Sequence, residues 1–135
     1  MKRLLFAVLM MVCSVSWAEW EMIDISSQGD IVSFVDKSSI KDSGDTVKIW
    51  VLTNFSFVAV QTDKTGGKYK SYKEELAFKC TEDKFSVVSL IHFSDSMGKG
   101  NVVYSAKFDE SKRFWKLVAP GSSDEVLFKI VCDKK

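Results

Sequence analysis

Thr46 to Val60 reads TVKIWVLTNFSFVAV, a run dominated by Val, Ile, Thr, Phe and Trp. Branched and aromatic side chains lose rotamer freedom in a helix but pack well on a pleated surface, so the run predicts a long strand. Alternation puts Val47, Ile49, Val51 and Thr53 on one face and Lys48, Trp50 and Leu52 on the other. A strand this long, apolar on both faces, belongs in the centre of a sheet, with a bend expected after Asn54.

The flanking segments carry the same period of two. WEMIDIS sets Trp20, Met22 and Asp24 against Glu21, Ile23 and Ile25, and Gln28-Gly29-Asp30 supplies turn chemistry before IVSFVD. KSSIKDSGD is polar and is expected to form a short helical turn or loop. SYKEELAFKC and KFSVVSLIHFS are strand candidates separated by a hairpin-length Thr81-Glu82-Asp83, and MGKGNVVYSAKF places Gly98 and Gly100 before one more strand. Short turns between about six strands predict an antiparallel meander.

The tail departs from this pattern. After Pro120-Gly121, Ser122-Ser123-Asp124-Glu125 fits a capping box, with Ser122 as N-cap and Glu125 three positions into the helix. Leu127, Ile130 and Val131 then share a helical face, with Cys132 on the stripe of Phe128. Val126, Phe128, Ile130 and Cys132 also alternate, so a strand stays open, but the cap favours a short helix. The expected fold is α+β and mainly β: one antiparallel sheet backed by a short C-terminal helix.

The N-terminus addresses the chain. Lys2 and Arg3 precede an apolar stretch from Leu4 to Val12, and Ser16-Trp17-Ala18 is a small-x-small cleavage site. The stretch falls short of the roughly 20 residues a spanning helix needs, so residues 1–18 are expected to be a signal peptide and 19–135 a single domain with no transmembrane segment. Cys13 after the apolar stretch could be a lipidation site, yet Val12 stands where a small residue is required, so lipoprotein anchoring is not expected. Cys80 and Cys132 then remain in an oxidising setting, where a disulfide is the expected pairing. Without the leader the chain has 17 basic and 18 acidic residues. That balance lacks the cationic excess a general nucleic-acid binder needs.

Chemistry-bearing motifs are sparse. The lone histidine, His92, would have to serve any serine triad, yet it alternates with Ser86, Val88, Leu90 and Ser94 on one face of its strand candidate, and no G-x-S-x-G elbow occurs. It is expected to be a half-buried or surface residue. Glu74-Glu75, Glu82-Asp83 and Asp109-Glu110 are sequence neighbours, which in a strand point apart and make no carboxylate dyad. Lone residues such as His92 and Met97 usually pack without a cofactor, and a metal set is equally unsupported, so neither metal nor cofactor is expected, nor an enzyme. The best binding feature is KTGGKYKSYK, where Lys64, Lys68, Lys70 and Lys73 interleave with Tyr69 and Tyr72. Cations beside amphipathic rings suit an acidic macromolecule, although lysines on a hairpin also guard a sheet edge against aggregation.

Three blocks, SYKEELAFKC, GKGNVVYS and FWKLVAPGSSDEVLFKIVC, together resemble the surface-adhesin protein E family. The shared pattern is a strand ending in cysteine, a G-x-G turn before a strand, then W-x-x-V-x-P-G-S from Trp115 to Ser122 and a final Val131-Cys132. Trp20, FVDKSSI at Phe34 to Ile40 and VKIWVLTNF at Val47 to Phe55 extend it over nearly all of the chain after the leader. The resemblance implies one antiparallel sheet backed by a C-terminal helix, with Cys80 and Cys132 bridging the two. It also implies a bacterial envelope protein, periplasmic or at the cell surface, with a host extracellular-matrix protein as partner. A homodimer through an edge strand is a further expectation, and a soluble periplasmic accessory role that shares only the fold is the alternative function.

Overall fold

In the computed structural model, which describes residues 19–60 and 67–133, the long apolar run forms the third of seven strands. The strands are β1 (Trp20–Ile25), β2 (Ile31–Asp42), β3 (Val47–Val60), β4 (Lys68–Lys79), β5 (Lys84–Phe93), β6 (Val102–Lys107) and the two-residue β7 (Lys116–Leu117). Among the described residues one α-helix, α1, spans Ser123–Cys132. The first six strands lie side by side in chain order, every pair antiparallel, and β7 joins the sheet by pairing with β5. The meander and the C-terminal helix are as expected. The expected leader with Cys13, and Lys64 of the basic segment, lie outside the described residues. Among the described residues no helix is long and apolar enough to cross a membrane.

The core forms where α1 lies over the sheet. Val47, Ile49 and Val51 of β3, Leu76 and Phe78 of β4 and Val35 of β2 are buried together with Leu127 and Val131 of the helix, four residues apart on its inner face. The hydroxyl of Ser122 accepts a bond from the Glu125 N–H at 3.3 Å, which settles the tail as a helix. Cys80, just past β4, and Cys132, in the last turn of α1, form the disulfide, with Cα atoms 5.5 Å apart. Helix and sheet are therefore joined at the same end by packing and by a covalent bond.

Three local expectations need correction. KSSIKD is not a turn but the second half of β2, where the register slips between Asp36 and Lys41. Its serines replace the missing ladder bonds: Ser39 Oγ accepts from the Trp50 N–H at 2.9 Å and donates to the Asp36 carbonyl at 2.6 Å, while the Asp36 carboxylate accepts from the Ser38 N–H. In β1 a slip between Met22 and Asp24 separates the two isoleucines, so Ile23 joins the core and Ile25 is exposed. In β5 an extra residue, Val88, lies between the pairs Leu76 with Val87 and Glu75 with Ser89. That bulge puts Ser86 on the opposite face from Leu90 and His92, and the shared face read from strict alternation does not exist.

Candidate functional site

The bend expected after Asn54 shapes the best candidate surface. Asn54 pairs with Ser71 and Ala59 with Tyr69, so Phe55 to Val58 of β3 stand opposite Lys70 alone. Such an excess forces the strand to swing outward. Phe55 turns inward, its ring centroid 5.8 Å from both Tyr69 and Tyr72, whereas Phe57 is 44% exposed, and Val58 and Val60 are exposed with it. The irregularity breaks the alternation of β4 as well. Tyr69 and Tyr72, three residues apart, both meet His92, which Tyr69 stacks at 4.0 Å. Tyr104 of β6 closes the row at 5.4 Å. The result is a ridge of rings across four strands, with an apolar tip at the end of β3.

Under this ridge His92 is only 5% exposed, not half-buried as its strand position suggests, because the flanking tyrosines cover it. It faces the ridge, while Met97 lies in the loop held on the opposite face by Asn54 and Ser71. The Met97 N–H donates to Asn54 Oδ1 at 2.8 Å and the Gly98 N–H to Ser71 Oγ at 2.8 Å. Among the described residues no group of three or more His, Cys, Asp or Glu is placed to hold a metal.

The basic residues of KTGGKYKSYK separate in space. Lys68 is exposed and Lys70 half-buried beside the ridge. Lys73 is on the other face, its ammonium 5.5 Å from the Trp20 ring and 5.3 Å from that of Phe93. Gly98 packs on its stem so closely that a Cβ there would stand 2.6 Å from Lys73 Cε. Lys73 thus fastens the Ser94 to Asn101 loop to the sheet, and Lys68 and Lys70 are the cations placed with Tyr69 and Tyr72.

A carboxyl pair beside the ridge was not foreseen. Glu74 pairs with Val51 and Leu90 on the helix-covered face, and Asp124 reaches it from the first turn of α1. Burial raises the Glu74 carboxyl to a pKa of about 7, Asp124 adds to the rise, and Lys116 opposes it. Asp124 is raised by burial too, and the Tyr72 hydroxyl is raised by burial and then by Glu74. Glu75, its sequence neighbour, is on the opposite face, as strand alternation predicts. The available signal was an acid in step with Leu76 and Phe78.

With this geometry in view, comparison with known proteins gives one family. The model of surface-adhesin protein E matches residues 20–133. The chain belongs to that family. Its fold is shared with solved structures of Haemophilus influenzae protein E. Crystal form II is 15% identical with a TM-score of 0.58, covering 83% of this chain and 87% of that one. The selenomethionine form is 15% identical with a TM-score of 0.59, covering 84% and 86%. No curated protein matches. The chain is thus a surface-adhesin-like protein.

Proposed function

We propose that this chain is a non-catalytic exported envelope protein that binds host extracellular-matrix protein, or another acidic macromolecule, through the tip of β3 and the start of β4. The observation that carries this reading is the exposure of Phe57, Val58 and Val60 next to Lys68 and Lys70, at a bend that turns them away from the core. Apolar side chains held in water on a rigid strand, with cations at the rim, are what a protein partner would bury. Membership of the surface-adhesin family supports the same reading. Export belongs to it as well, with the leader ending at Ala18 and the exported chain starting at Glu19. Pairing of two copies through an edge strand is compatible with it, because β1 is an outer strand with Met22 and Ile25 exposed.

The test is surface plasmon resonance on purified matrix glycoproteins and heparin, using the wild type, Phe57→Ser and Lys68→Glu/Lys70→Glu. Binding should be lost in the first variant and become weaker and less salt-sensitive in the second. Unchanged affinity in both would remove the ridge from consideration. Cell fractionation addresses location: protein confined to the periplasm would favour an accessory role that shares only the fold.

A further inference from the structure

At the other end of the sheet, β5 loses its neighbour. β6 pairs with Ser89 to Phe93 and β7 with Lys84 and Phe85, leaving Ser86, Val87 and Val88 in a window between them. The chain closes the far side of the window with Phe108, whose N–H donates to the Val88 carbonyl at 2.9 Å, and with the residues that follow it. A cleft of about 280 Å³ results, lined by Phe85, Ser86, Val87, Phe108 and Phe114, with Lys112 and Lys116 as its charged residues. Its size is near the lower end of ligand pockets, roughly 300 Å³.

Three features of this cleft point to one ligand chemistry. Its walls are phenylalanine and valine, and Phe114 at the mouth is 74% exposed, so they would hold an apolar body. Both charged lining residues are cations; Lys116 already faces Glu74 and Asp124, whereas Lys112 makes no ion pair among the described residues. Ser86 is 2% exposed and its hydroxyl has no hydrogen-bond partner among the described residues, an arrangement that costs stability unless something supplies one. We infer that the cleft is a binding site for a medium-chain alkyl carboxylate. The carboxylate accepts hydrogen bonds from the Ser86 hydroxyl and the Lys112 ammonium, and the chain lies against Phe85, Phe108 and Phe114. The site is independent of the ridge, which sits at the opposite end of β5.

Titration of the ¹⁵N-labelled protein with decanoate tests this. Amide shifts should saturate and centre on Ser86, Val87, Phe108, Lys112 and Phe114. Lys112→Glu should weaken binding about tenfold, the effect of losing one charge-assisted contact. Ser86→Ala removes an unpartnered hydroxyl, so the fold should keep its stability while decanoate binds several-fold more weakly. Decanol, equally apolar but uncharged, should shift the same amides only weakly. The proposal is overturned by the absence of saturable shifts, by shifts centred on Phe57 and Val60 instead, by decanol binding as tightly as decanoate, or by a Ser86→Ala variant with unchanged affinity. Lys68→Glu/Lys70→Glu should leave decanoate binding intact, so this site and the ridge fail or stand separately.

Discussion

Glu74 occupies a strand position whose neighbours on the same face, Tyr72 and Leu76, are packed, and it meets Asp124 where burial makes two charges costly. Its pKa of about 7 lies above the ordinary 4.5, so between those values the folded chain holds a proton that the unfolded chain releases. The contribution to stability is fully present below about pH 4.5 and declines as pH rises through 7; Asp124, also raised, acts in the same direction. Its size is about 2 kcal/mol after allowing for the part of the side chain that reaches solvent. Glu74→Gln should flatten this slope and make the protein more stable than wild type at pH 8, as read by urea unfolding at pH 5 and pH 8. An unaltered slope would move the linkage to another group. The burial of Glu74 was legible in its step with Leu76 and Phe78, but the second acid was not, because Asp124 is 50 residues away in the chain and is brought near by α1.

Among the elements, α1 was legible at its start and β2 was not legible at its end. The capping serine, the acids after it and the spacing of Leu127 and Val131 agree with one another, and the structure keeps them all. Removing the cap by Ser122→Ala should cost about 1 kcal/mol in thermal or urea unfolding, since the Glu125 N–H loses its side-chain acceptor and keeps only the Ser122 carbonyl. KSSIKD misled because its serines look like turn formers, yet their hydroxyls complete the ladder across a slipped register. The bulge at Val88 was equally hidden, since one extra residue leaves no mark on composition while it reverses every face that follows. The Ser94 to Asn101 loop offers a sharper test. Gly98 has φ +70, which strains any other residue, and a methyl group there would push the end of Lys73 aside, so Gly98→Ala should destabilise by about 1–3 kcal/mol and expose Lys73 to chemical labelling. Unchanged stability and labelling would mean that the loop does not lean on the lysine.

For the molecule as a whole, the sequence disclosed the sheet, its order and its covalent tie, because hairpin-length turns leave few alternatives and only one pair of cysteines, Cys80 and Cys132, follows Ala18. The two-residue β7 was missed, since so short a strand carries no period and exists through its pairing with Lys84 and Phe85. The bridge closes a separation of 52 residues and should contribute about 4 kcal/mol in the chain-entropy description. Cys132→Ser should lower stability by a few kcal/mol, and thiol titration of the denatured, unreduced protein should find neither Cys80 nor Cys132 reactive; two labelled thiols would refute the bridge. The chain-order arrangement of β1 to β6 also sets a timetable for synthesis. Each strand after β1, on leaving the ribosome, finds its partner in the strand just before it, so the sheet can lengthen vectorially without holding any of these strands in reserve. Cys132 lies in α1, after every strand in the chain, so the bridge to Cys80 can close only once all the strands have been made.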